Sequence, residues 1–427
     1  MRITSSLSGH TLHHNGVFSP DGKWIVFDGR NDDTKIGETA TIGVVNVETG
    51  KELIIYQTPN QTIYGPGVGA ASFSPVKEEV IFIQGLPDAN KEHPYAMSRR
   101  TGMLVDIAHP DKAFPADARD ISAPYVSGSL RGGTHSHCWS PDGSMLSFTY
   151  NDEPVESDLR VVGVMLESDS TIRVDEGPGN NDGRYYAAIV SEVVAHPKPG
   201  TDEINKAFDE CWIGKEGYMA ADGQRVPHAI AFQGNVLDEQ GNTETEIFVV
   251  DIDADKIKAD KTAVGEEGER PKVPQGIRQR RLTHGAQLSD TRHWLRSSTD
   301  GQYIYALAKD KKGNNQVLRC TVSSGELSFV TDNPFSIAYT FNLNRTCDKL
   351  TFIAENNVFV YAMDTKECCQ LTENTIDDPK VVGAPSFSPD GSFVVYNQYE
   401  SISGEEYLQI KRVKTKEVSR VNISNLK

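Results

Sequence analysis

Short runs rich in β-branched and aromatic residues recur along the chain, and each of the best-marked ones follows a tight polar turn. Phe18-Ser-Pro-Asp-Gly22 precedes Lys-Trp-Ile-Val-Phe27, and Trp139-Ser-Pro-Asp-Gly143 precedes Met145–Tyr150. Phe387-Ser-Pro-Asp-Gly391 precedes Phe393–Tyr396, while Phe73-Ser-Pro75, Ser298-Thr-Asp-Gly301 and Leu343–Cys347 open weaker copies. Each copy reads as strand, turn, strand. A second pattern, Ile3-Thr4, Leu282-Thr283, Val330-Thr331 and Leu371-Thr372, precedes several turns by 15 to 18 residues. It reads as the strand that ends one unit and leads to the next. Further strands and Gly turns follow, as in Thr41–Val47 and Val317–Val322, so each unit is a four-stranded meander.

Units of this length repeated around an axis predict an all-β fold, a single seven-bladed β-propeller spanning 1–427. One long interval between turns, from Pro141 to Thr299, must hold an unmarked blade, with strands expected at Tyr185–Val194, His228–Gln233 and Glu246–Ile252. Six blades is the alternative. Arg2–Thr4 and Val418–Ile423 both suit the strand that closes the ring. Two insertions interrupt the repeat. In 196–227, Ile204, Ala207, Phe208, Cys211 and Trp212 fall on one helical face, which predicts a helix from about Asp202 to Cys211, N-capped by Thr201. The acidic and basic stretch 253–277 reads as a polar surface loop.

Composition narrows the function. The net charge of −17 argues against nucleic acid as the main partner. No apolar run approaches the roughly 20 residues of a membrane-spanning helix. Six sparse cysteines predict free thiols, and with no apolar leader at the N-terminus the expected compartment is the cytoplasm, or the periplasm if a signal peptide has been removed. No phosphate-binding Gly loop and no GxSxG elbow is present.

The histidines carry the chemistry. His14, His135 and His293 each lie seven residues before a turn Asp, at Asp21, Asp142 and Asp300. That shared spacing predicts convergence at one end of the channel. His137 shares a strand face with His135. Imidazoles on one axis suit a divalent metal, Mn, Zn, Ni or Fe; hydrogen-bonded channel lining is the other reading. Arg131, beside the flexible pair Gly132-Gly133, and Arg292, Trp294, Asn151, Asp152 and Arg30 are the candidate substrate contacts. Arginine clamps a carboxylate, and Trp stacks on a sugar.

Arg131-Gly-Gly-Thr-His-Ser-His137, Phe148-Thr-Tyr-Asn-Asp152, Pro199–Asn205 and Arg292-His-Trp294 resemble the YidR-type propellers, grouped as the domain of unknown function DUF3748. More distantly, the His135-x-His137 pair before a Ser-Pro-Asp turn, with His293 from another blade, is similar to the oligogalacturonide lyases, seven-bladed propellers with a Mn-type metal. This resemblance implies metal ligation by His135, His137 and His293, with His14 and Arg131 as candidates for the catalytic His and Arg. The lyases carry Gln three residues before the first His of the pair, where this chain has Gly132. TolB-type propellers share the Ser-Pro-Asp-Gly repeat. The expected function is a metal-dependent carbohydrate-active lyase acting on a short acidic sugar oligomer; a non-enzymatic TolB-like interaction propeller is the alternative.

Overall fold

The computed structural model describes residues 1–32 and 34–415. Why the turn motif recurs is visible in its hydrogen bonds. The Ser hydroxyl donates to the turn Asp in Ser19–Asp21, Ser140–Asp142, Ser298–Asp300 and Ser388–Asp390, at 2.5 to 2.7 Å. The same carboxylate oxygen accepts the backbone N–H two residues on. Gly22, Gly143, Gly301 and Gly391 follow at φ near +70°, a conformation that costs a side chain dearly.

Among the described residues, seven antiparallel sheets of three or four strands form the blades. Blade 1 holds Trp24–Asp28, Thr41–Asn46 and Glu52–Gln57, and residues 11–18 run along its inner edge. Blade 2 runs from Val68–Phe73 to Phe114–Pro115, and blade 3 from Gly133–Trp139 to Gly183–Ile189. Blade 4 comprises Ala207–Trp212, Ala229–Leu237, Thr243–Asp251 and Gln279–Arg281. Blades 5, 6 and 7 start at Arg296–Ser297, Asn342–Leu343 and Val381–Phe387. Among the described residues, one hydrophobic cluster fills each seam between neighbouring blades, such as Ile81 against Phe148 between blades 2 and 3. Burying both faces of each sheet in this way supplies the main stabilisation.

The Leu-Thr pattern marks a clasp. In blades 4, 5, 6 and 7 the Thr hydroxyl accepts a backbone N–H from the neighbouring strand, at Ile247, Val317, Val358 and Ile410. It also donates to the side chain one residue earlier, Glu246, Gln316, Asn357 or Gln409. The blade 7 clasp uses Thr4. With Arg2 bridged to Lys411 and the Ile3 N–H donating to the Ile410 carbonyl at 2.8 Å, the N-terminal residues complete the last blade. The alternative closing strand, 418–423, lies outside the described residues.

Three expectations are corrected. No helix forms over 202–211; Ala207–Trp212 is the inner strand of blade 4. A bulge between Phe208 and Cys211, with Asp209 at φ 52°, inserts a residue into the strand's alternation. Its apolar positions then imitate helical spacing. The one α-helix among the described residues is Ala254–Ala259, in the segment read as a polar loop. Asp253 caps it by accepting from the Lys256 N–H, and Ile257 is buried beneath it. Within the long interval, Gly183–Ile189 is the outer strand of blade 3 and not part of the unmarked blade.

Candidate functional site

Every inner strand between blades 1 and 5 departs from regular pairing, and the departures deliver the polar side chains to the axis. In blades 2, 3 and 4 a one-residue bulge sits at Ala70, Ser136 and Asp209, all at φ 52–56°. Blade 1 departs further. Between the bridges Thr11–Asp28 and Phe18–Ile25, the partner strand advances three residues and the inner segment seven. In blade 5, between Leu288–Ala308 and Arg296–Tyr305, the partner strand again advances three residues and the inner segment eight. The surplus residues loop into the channel and meet there. The His14 ring stacks on Trp294 at 3.9 Å with 7° between planes, and Arg292 covers the Trp294 ring at 4.5 Å. The His14 carbonyl accepts from Arg296 at 2.9 Å and from Asn342 at 3.0 Å, and its Nε2 lies 3.6 Å from Cys138 Sγ. Residues 13–15 therefore sit across the middle of the channel, touching blades 3, 5 and 6.

The four histidines are held differently. His14 belongs to the looped segment, so its seven-residue spacing from Asp21 is not a strand register, whereas His135 pairs with Thr149 within the sheet of blade 3. His293 Nδ1 contacts the Thr291 carbonyl at 2.7 Å. A carbonyl only accepts, so Nδ1 carries the proton and Nε2, which has no partner, presents a lone pair. His137 Nε2 meets Thr134 Oγ1 at 3.0 Å, and that hydroxyl reaches Asp117 Oδ1 at 3.1 Å. Asp117, raised to about 6 by burial, is ionised at neutral pH and takes the hydroxyl proton. His137 must then donate from Nε2, which leaves Nδ1 free and unpartnered. His135 has no partner at either nitrogen. Burial holds all of them neutral: His137 falls to about 3, His293 to about 4, and His14 and His135 well below the usual value.

Free, neutral imidazole nitrogens are the right donors for a divalent cation. Their arrangement is not. Among the described residues, no three His, Cys, Asp or Glu side chains are grouped to hold a metal ion.

Arg131 is fully buried in a separate task. It donates to the carbonyls of Val264 and Glu269, lies 3.9 Å over the Tyr125 ring and faces Asp152 at 3.6 Å. It straps the 253–277 insertion onto blade 3. The glycines beside it are demanded by contact: a Cβ at Gly132 would stand 2.1 Å from the Asn151 carbonyl, and one at Gly133 2.0 Å from that of Met97. Asp152 also accepts from Tyr150 at 2.7 Å. Asn151 donates to the Ser157 carbonyl and accepts from Arg160. Arg30 forms a two-point ion pair with Asp28, at 2.6 and 2.8 Å. The Trp294 ring is engaged by His14 and Arg292, so it positions Arg292.

Asp209 and Glu210 escaped the sequence reading. Burial raises Asp209 to about 6, against the pull of Arg292, Arg160, Lys206 and Arg296. Burial also raises Glu210 to about 8; its Oε1 has no partner and Oε2 accepts from Thr149 at 3.3 Å. His135 feels Arg100, Arg160 and Arg292. The charges of Arg160 and Arg292 thus act on both a neutral imidazole and a carboxyl raised to about 6. Arg100, Arg160 and Arg292 bring positive charge to bear on His135, although the chain as a whole is acidic.

Comparison with known proteins bears on the family and the fold. The family described as "Protein of unknown function (DUF3748)" matches residues 67–180. The uncharacterized protein YidR of Escherichia coli (strain K12) is 33% identical over 411 residues, covering 92% of this chain and 94% of that protein. An oligogalacturonate lyase in complex with manganese superposes with a TM-score of 0.53 at 12% identity, over 97% of this chain and 93% of that one. The β-propeller domain of the trilobed protease of Pyrococcus furiosus gives 0.50 at 11% identity, over 94% and 98%. At these identities the two structures speak for the propeller fold alone.

Proposed function

This chain belongs to the same family as YidR, and we propose that the channel around Arg160, Arg292, His135 and Asp209 is the active site of a carbohydrate-active lyase that cleaves short acidic sugar oligomers by β-elimination. One observation carries the reading: the charges of Arg160 and Arg292 act on both His135 and Asp209. β-Elimination on a uronate needs that set. A cation neutralises the carboxylate and acidifies the adjacent C–H, a base removes the proton, and an acid protonates the oxygen that leaves as the C–O bond breaks. Arg160 and Arg292 take the first role. His135, neutral with both nitrogens unpartnered, takes the second. Asp209, at about 6, takes the third, because a general acid works best with its pKa near the working pH. The carbon–carbon double bond that forms takes up the electron pair left by the proton, and the proton gained by His135 returns to Asp209 through solvent.

A metal is the second reading. The unpartnered nitrogens of His135, His137 and His293 support it, their separation argues against it, and no step above passes through an ion. Turnover of di- and trigalacturonate, followed by ultraviolet absorbance of the unsaturated product, tests both readings. Activity that survives a chelator and is lost in Asp209→Asn supports the acid–base reading. Activity restored only by Mn, Zn, Ni or Fe supports the metal. No turnover with any of them favours an interaction propeller.

A further inference from the structure

Where the inner strands end, the channel is a different chemical environment. Bounded by Asn15 and Asn342 lies a cavity of about 370 Å³. That size falls within the range of small-molecule sites. Its wall repeats one structural position: the residue ending the inner strand before the turn, which is Phe18, Phe73, Trp139, Leu343 and Phe387 in blades 1, 2, 3, 6 and 7. None of the lining residues is ionisable. Two polar atoms in the wall are buried without a partner: the Trp139 Nε1–H and the hydroxyl of Ser72, a residue only 1% exposed. The equivalent Trp212 of blade 4 differs, since its Nε1–H donates to the Cys138 carbonyl at 3.0 Å. A buried indole N–H ordinarily finds an acceptor, and leaving it unpaired is costly.

We propose that this cavity is a second binding site, for a neutral aromatic small molecule that carries one hydrogen-bond acceptor. The aromatic body fills the wall of rings. The acceptor takes the Trp139 N–H, and the Ser72 hydroxyl serves the same polar group. A charged ligand is excluded, because no counter-ion lines the cavity and desolvating an unpaired charge costs far more than the rings return. None of Arg160, Arg292, His135 and Asp209 lines it, so its occupant need not be the substrate.

The test uses the full chain and three isosteric probes, 2-naphthamide, 2-naphthoate and 2-methylnaphthalene, read by ligand-observed NMR titration. Saturable binding of the amide, at least about tenfold tighter than the carboxylate, is expected. Trp139→Phe keeps the ring and removes the donor. It should weaken the amide about tenfold and leave 2-methylnaphthalene unchanged. Leu343→Trp fills the cavity and should abolish binding of all three, with an unchanged melting temperature as the control for folding. No saturable binding, equal affinity for amide and carboxylate, or an amide insensitive to Trp139→Phe would overturn the proposal. The Trp139→Phe comparison decides the matter even if the cavity-filling variant does not fold.

Discussion

Replacing Glu210 with Gln should stabilise this protein, and increasingly so as pH rises. Glu210 is fully buried, with Oε1 unpartnered and weak bonds from the Thr149 and Ser147 hydroxyls as its side-chain partners. Burial carries its pKa from 4.5 to about 8. Below 4.5 the carboxyl is protonated in both the folded and the unfolded chain, and pH has no purchase on it. Between 4.5 and 8 the unfolded chain releases the proton while the folded chain keeps it, so stability falls as pH rises. Above 8 both forms are ionised and the loss levels off. At about 1.4 kcal/mol for each pH interval of one, the loss is about 3 kcal/mol at pH 7 and about 5 kcal/mol above pH 8. Against the 5–15 kcal/mol typical of a folded protein, that is a large fraction. Gln has a similar shape, can still accept from Thr149, and never ionises. Urea midpoints of wild type and Glu210→Gln should nearly coincide at about pH 5 and diverge by about pH 9, with the variant the more resistant. Parallel pH dependences, or a variant weakened equally at every pH, would refute the reasoning, because Glu210 would then have to be ionised and paired in the native protein.

The buried imidazoles act at the other end of the scale. His137 and His293 stay neutral in the fold down to about 3 and 4, while in the unfolded chain they protonate near 6.5, so stability should fall with pH below about 6.5. A His137→Gln, His293→Gln double variant should lose less stability than wild type between about pH 6.5 and 4. Thr331→Val removes the hydroxyl that serves both Gln316 and the Val317 N–H; it should cost about 1–3 kcal/mol, measured by chemical denaturation at neutral pH. Arg131→Ala releases the carbonyls of Val264 and Glu269, and limited proteolysis should then cut within 260–272 faster than in wild type, with the blades intact.

What could be read from residues alone was whatever local chemistry determines. The Ser-x-Asp-Gly turn is a self-contained hydrogen-bonding unit, so its copies revealed the blades wherever they occurred. The Leu-Thr pattern was legible for the same reason, although its role as a clasp between strands emerged only from the pairing. Blade 4 lacks the turn signature, and its bulged inner strand set Ile204, Ala207, Phe208, Cys211 and Trp212 at helical intervals. Periodicity alone could not separate the two. The true helix was hidden because only Ile257 of its six residues is buried, leaving no apolar stripe to detect. At the site, equal spacing from the turn Asp drew attention to His14, His135 and His293, but counting along the chain does not register a segment that loops out of its sheet. Asp209 and Glu210 went unnoticed as two acids in an assumed helix. Only the strand places them beside the arginines, and only burial makes them unusual.

The central claim is that the channel binds a carboxylate-bearing sugar through Arg160 and Arg292. Calorimetric titration of trigalacturonate into wild-type protein and into an Arg160→Ala, Arg292→Ala double variant tests it most directly. Saturable binding to wild type that weakens at least about a hundredfold in the variant is the predicted result, each lost charge-assisted contact contributing at least about tenfold. Binding of equal strength to both proteins, or none to wild type, would contradict it.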